Sequence, residues 1–82
     1  MLCSVSRRNH TETLKSMGAR LRELRKARGL RQMDMAELLG ITDVHYRRVE
    51  AGRVNIPTLT LCALADYFGV STDYLLGRRD ER

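Results

Sequence analysis

The apolar positions of this chain fall into five stretches with helical spacing, and no useful length alternates with the period of a strand. Leu14, Met17, Leu21, Leu24 and Ala27 recur at three- and four-residue steps, while Arg20, Arg22, Glu23, Arg25, Lys26 and Arg28 fill the other faces. That pattern predicts a first helix from about Leu14 or Met17 to Arg28. A second runs from about Gln32 to Leu39, with Met35, Ala36 and Leu39 apolar, and a third from about Asp43 to Glu50. Thr42 is a natural N-cap for the third, and Asp43 in its first turn suits the helix dipole. After Pro57, whose fixed φ fits a first helical turn, Leu61, Leu64, Ala65 and Phe68 mark a fourth helix. Ser71 caps a short fifth, Thr72 to Leu76, with Val70 stapled against Leu75. A glycine follows each helix: Gly29, Gly40, Gly52, Gly69 and Gly77. The fold class is therefore all-α, a compact five-helix bundle over residues 14–78. Residues 1–13 are polar and without period, and read as a flexible N-terminal arm. Residues 79–82 form a charged tail.

The centre of the chain carries the chemistry. From Leu30 to Gly52 two short helices are broken by Gly40, and Ile41, Tyr46 and Val49 are placed to fasten the later helix inward. The opposite face of that helix must then offer Asp43, Val44, Arg47 and Arg48, with His45 at its edge. A pair of helices joined by a tight turn is how a small domain sets a helix into the DNA major groove. Ala36 lies where the two helices cross, and a larger side chain there would force them apart.

Charge agrees with a nucleic-acid partner. The 82 residues hold 15 Lys and Arg against 10 Asp and Glu, a net charge of +5. Arginine carries most of the excess, and its planar fork suits phosphates and base edges. Other chemistry is poorly served. His10 and His45 have no partner at ligand spacing, and no nucleophile–base set, glycine-rich phosphate loop or paired carboxylates stand out. Cys3 and Cys62 make neither a metal nor a disulfide pattern. The expectation is no enzyme, no metal and no cofactor. No apolar run approaches membrane-spanning length, so no membrane partner is expected, and a reduced, cytoplasmic setting is the default.

Several motifs in order resemble the Cro/C1-type helix-turn-helix regulators, the XRE family. MGARLRELRKARGL from Met17 looks like the family's opening helix. Gln32 followed by Met35-Ala36-Glu37-Leu38-Leu39-Gly40 looks like its second helix, and ADYFGVSTDYLLGR from Ala65 to Arg78 is similar to its closing helices. The resemblance covers Met17 to about Arg79. It implies a lambda-repressor-like DNA-binding domain and sequence-specific binding of double-stranded DNA by a bacterial or phage-type transcriptional repressor. It places base reading on Thr42, Asp43, Val44, Arg47 and Arg48, and phosphate contacts on Arg31 and Gln32 before the reading helix and on Arg53 and Asn55 after it. Arg25 and Glu50 are then a structural ion pair. Homodimerisation, in solution or only on DNA, would use the fifth helix around Tyr74, Leu75 and Leu76. No small-molecule ligand domain is implied. Arg7 and Arg8 could reach a neighbouring groove, as some arms do. The rival class is an antitoxin or antirepressor-binding module of the same fold, in which protein contacts dominate.

Three positions depart from the family. Asp43 stands where a neutral amide or a basic residue is common; it can accept from cytosine N4 but opposes phosphates elsewhere. Tyr46 fills a slot usually held by a branched aliphatic, and is expected to pack with its hydroxyl reaching the surface. Arg31 replaces a small cap residue, so the second helix is expected to begin poorly capped while gaining a phosphate hook.

Overall fold

A computed structural model describes residues 10–82. Those residues form five α-helices and no strand: α1 (His10–Ala27), α2 (Gln32–Leu39), α3 (Asp43–Glu50), α4 (Thr58–Phe68) and α5 (Thr72–Leu75). α1 takes in residues 10–13, whose polar composition had placed them in the arm. Neither Pro nor Gly interrupts the chain before Gly18, and Glu12 in the first turn faces the positive end of the helix dipole. Cys3, Arg7 and Arg8 lie outside the described residues.

The core assembles from one stripe of each helix, as a period of 3.6 residues requires. Met17, Leu21 and Leu24 of α1 meet Met35 and Ala36 of α2, Tyr46 and Val49 of α3, Leu64, Ala65 and Phe68 of α4, and Tyr74 and Leu75 of α5. Leu30, Ile41, Val54 and Ile56 close the seams from the connecting loops.

The turn between α2 and α3 rests on Gly40, whose φ of 69° is left-handed and costs a side-chain-bearing residue more than glycine. That conformation lets the Ile41 N–H donate to the Ala36 carbonyl at 3.0 Å and the Gly40 N–H to the Glu37 carbonyl at 3.2 Å. The chain then enters α3 through Thr42, whose hydroxyl accepts the His45 N–H at 3.1 Å. Ser71 caps α5 in the same way, accepting the Tyr74 N–H at 3.0 Å.

One expectation about a helix end is corrected. α2 is capped after all, by its own third residue. An arginine side chain has no acceptor to offer, but the Asp34 carboxylate reaches back to take the Arg31 N–H at 2.8 Å. The Arg31 guanidinium lies on the same carboxylate at 3.0 Å. That pairing, with the backbone bond, holds the Asp34 carboxyl below its ordinary range.

The surface of α5 expected to serve a dimer is turned largely inward. Tyr74 and Leu75 are buried, because this one-turn helix closes the open end of the core. The Arg20 guanidinium covers the Tyr74 ring at 4.2 Å, and the Tyr74 hydroxyl donates to Glu23 at 3.3 Å. Arg20 also donates to the Arg79 carbonyl at 2.9 Å and pairs with Asp80 at 2.9 Å, drawing the charged tail onto α1. Tyr74 and Leu75 are thus engaged within the fold and leave little for a second copy to touch. Leu76 is half-buried.

Candidate nucleic-acid interface

α3 is held from behind by a buried polar cluster at its C-terminal end. Arg25 of α1 grips the Glu50 carboxylate with two bonds, Nε to Oε2 at 2.7 Å and Nη2 to Oε1 at 3.2 Å. Its remaining nitrogen donates to the Leu30 carbonyl at 2.8 Å, and Gln32 Nε2 donates to Glu50 Oε1 at 3.1 Å. The side chains of the pair are only 9% and 4% exposed. Burial pushes the Glu50 carboxyl up, but the bonds from Arg25 and its other donors outweigh burial and hold it below the ordinary value. The bond to Glu50 raises the Arg25 guanidinium in turn. One cluster therefore ties α1, the start of α2 and the end of α3 together.

Tyr46 backs the same helix, and here the expectation fails. The side chain is fully buried and its hydroxyl meets no partner of ordinary hydrogen-bond geometry. The inward slot is too deep for the hydroxyl to reach water. Burial, and then the nearby Glu50 carboxylate, hold the phenol protonated far above its ordinary range. An unmatched buried hydroxyl makes little net contribution, so Tyr46→Phe is expected to leave stability unchanged or to raise it by up to about 1 kcal/mol. A urea titration showing a loss above about 1.5 kcal/mol would mean the hydroxyl does bond to Glu50.

With its inner face fixed, α3 turns a polar face to solvent. Val44 is 52% exposed, and Arg47 and Arg48 project beside it. Val44, Arg47, Arg48 and Ala51 line one shallow groove together with Arg53, which follows the helix. A second cleft lies on the other flank of α3, lined by Arg22, Arg25, Gln32, Arg47, Glu50 and Ala51. Arg47 thus stands on the ridge between the two. Asp43 pairs with it across one helical turn at 3.4 Å, and Thr42 is exposed while its hydroxyl caps the helix.

The four candidate phosphate residues separate. Arg53 belongs to the groove and makes no ion pair among the described residues. Gln32 is half-buried and its amide turns inward to Glu50. Arg31 is exposed but folded onto Asp34. Asn55 lies apart, lining a hollow with His10, Thr13 and Leu14, and its side-chain oxygen accepts the Ile56 N–H at 3.0 Å. Arg22 is the residue the sequence did not single out. It sits three residues before Arg25, which turns it toward the cleft beside α3, yet in sequence it is one charge among many on a polar helix face.

Among the described residues no cluster of His, Cys, Asp and Glu could hold a metal ion, and no helix is long and apolar enough to cross a membrane. Cys62 is a free, exposed thiol on α4.

A five-helix bundle with this central helix–turn–helix is of the lambda-repressor-like DNA-binding type. Residues 16–76 match the helix-turn-helix domain family, and the chain belongs to it. It is 42% identical over 59 residues to an SPbeta prophage-derived HTH-type transcriptional regulator, YonR, of Bacillus subtilis, covering 72% of this chain and 55% of that one. It is 40% identical over 63 residues to the HTH-type transcriptional regulator ImmR of the same organism, covering 77% and 50%. The chain thus spans about half the length of the curated relatives it matches. Among solved structures it is similar to the restriction-modification controller protein C.AhdI from Aeromonas hydrophila, with a TM-score of 0.65 and 35% identity over 76% of this chain and 94% of that one. The DNA-binding domain of BldD gives a TM-score of 0.66 and 31% identity, covering 80% and 96%.

Proposed function

We propose that this domain binds double-stranded DNA sequence-specifically, seats the outer face of α3 in the major groove, and acts as a repressor-type transcriptional regulator. The observation that carries this reading is the division of α3 into two faces. Tyr46, Val49 and Glu50 are locked inward, and Val44, Arg47 and Arg48 are left on an exposed groove that continues into Arg53. The similarity to HTH-type transcriptional regulators and to the BldD DNA-binding domain supports it.

The residues divide the work by chemistry. Arg47 and Arg48 can each donate bidentately to guanine O6 and N7, and Val44 can pack on a thymine methyl. Thr42 and Asp43 stand at the leading end of the same face. Arg53 serves a phosphate, with Arg31, Asn55 and the N-terminus of α2 as further backbone contacts. Because the Gln32 amide is bonded to Glu50, its contribution there falls on its remaining N–H and its backbone. One reading helix covers few base pairs, so a twofold pair on half-sites about 34 Å apart would multiply specificity. Tyr74 and Leu75 are buried in the single chain, so the α5 surface such a pair would use centres on the half-buried Leu76 and its surroundings.

Selection of bound sites from a random duplex pool tests the reading. Replacing Arg47 or Arg48 by alanine is expected to relax base preference by about 1–3 kcal/mol at the affected position. Arg53→Ala should weaken every duplex alike and lower the slope of log affinity against log salt by about one. Equal losses on every sequence from all three variants would remove α3 as the reading helix. No enrichment over random would remove sequence-specific binding altogether.

A further inference from the structure

We infer that Asp43 is the positioning residue that makes Arg47 selective, an inference that rests on α3 being the reading helix. Asp43 Oδ2 lies 3.4 Å from Arg47 Nη2 across one turn, with the two side chains 42% and 62% exposed. Of the five arginines lining the two hollows that flank α3's outer face, Arg25 is locked inward on Glu50, while Arg22, Arg48 and Arg53 have no such tether among the described residues. A chain of net charge +5 gains affinity for any duplex from its cations. Here it keeps a carboxylate at the leading end of the proposed reading surface, where that charge opposes the phosphates. Helix capping alone does not require it, because Thr42 already takes the His45 N–H.

In water an exposed pair one turn apart is weak. At a protein–DNA interface bulk water gives way to ordered water and protein, the effective dielectric falls and the same pair strengthens. The Arg47 fork is then kept over the bases and off the neighbouring phosphates. At a guanine the fork donates to O6 and N7, while the free lone pairs of Asp43 can accept from a cytosine N4–H. Where it meets guanine O6 or N7 or thymine O4 instead, the carboxylate faces an acceptor and repels it. Asp43 thus gives specificity by penalising wrong sequences more than by strengthening the right one.

The full chain and two duplexes test this: the site selected by the unaltered protein, and a random-sequence duplex of equal length. Asp43→Asn removes the charge and keeps the shape. It is expected to raise random-duplex affinity several-fold and to steepen its salt slope by about one as Arg47 becomes free for a phosphate. The ratio between the two duplexes should fall by about tenfold, within the range a bidentate arginine–guanine contact supplies. Asp43→Glu keeps a carboxylate one turn from Arg47 and should retain most of the ratio. In an Arg47→Ala background, Asp43→Asn should change the ratio little, because the residue it positions is gone. Thermal unfolding of each variant should stay close to that of the unaltered chain.

An Asp43→Asn variant that keeps the original ratio overturns the inference alone. So does an equal effect of Asp43→Asn with and without Arg47, which would leave Asp43 as a dipole partner or a general repeller. Failure of the unaltered chain to prefer any sequence removes the reading of α3 and this inference together.

Discussion

Replacing Arg25 with methionine while Glu50 stays in place is expected to lower the stability of the domain by about 3–5 kcal/mol. The magnitude follows from burial. The Glu50 side chain is 4% exposed, and after the change it would keep only Gln32 as a strong donor. A carboxylate in that position has lost its countercharge and cannot recover water. Domains of this size are stable by only about 4–12 kcal/mol, so such a variant stands near the edge of unfolding. Urea titration followed by circular dichroism measures the loss. Replacing both partners, Arg25→Met with Glu50→Leu, should recover part of it, because no stranded charge remains, although the Leu30 carbonyl and the Gln32 amide still lose partners. A loss below about 1 kcal/mol for Arg25→Met would put the pair in the class of exposed salt bridges and contradict the geometry.

The pH dependence gives the same test an independent axis. In the unaltered chain the Glu50 carboxyl is held below its ordinary 4.5. Its contribution is fully present above that value, and fades as pH falls further through the lower folded value. Without Arg25 the largest remaining influence is burial, which raises the carboxyl. The penalty in Arg25→Met is then greatest near neutral pH, and shrinks on acidification as the stranded carboxylate takes up a proton. The two stability curves should therefore converge below about pH 5. Parallel curves would show that Arg25 acts through packing and not through charge.

What the sequence made legible follows from how local each signal is. The bounds of α2 and α3 were readable because Gly40, Thr42 and a short apolar period all act within a few residues. The outer face of α3 was readable for the same reason: once Tyr46 and Val49 face inward, helix geometry alone sets Val44, Arg47 and Arg48 outward. The polar start of α1 has no apolar period, so its residues 10–13 looked like arm. The Asp34 cap was within reach, since an acid at the third helical position is half of a capping box, but Arg31 at the cap position drew attention to the missing half. Tyr74 and Leu75 show a different limit. A helix of one turn has no period to say which side is buried, and only the docking of α5 against α1 and α4 decides it.

Gly18 sits at a close non-local contact between α1 and α3, and Gly18→Ala is expected to cost about 2–3 kcal/mol. A methyl built there would sit 2.8 Å from the Val49 carbonyl oxygen and 2.7 Å from the Glu50 carbonyl carbon, with the Glu50 carbonyl oxygen closer still. In an unobstructed helix interior the same change would gain about 0.5–1 kcal/mol, so the sign of the result decides whether α1 and α3 touch here. No side chain can rotate to relieve the clash, because the atoms met are backbone. The C-terminal end of α3 must move away from α1, and Glu50 moves with it, loosening its bonds to Arg25. The thermal midpoint should drop by about 8–24 °C for a domain of this length. Sequence preference should degrade as well, because the displaced end of α3 carries Arg47 and Arg48. A Gly18→Ala variant as stable as the unaltered chain would mean that α1 and α3 cross farther apart than this packing requires. The buried ion pair joining the same two helices would then be longer than 2.7 Å and worth correspondingly less.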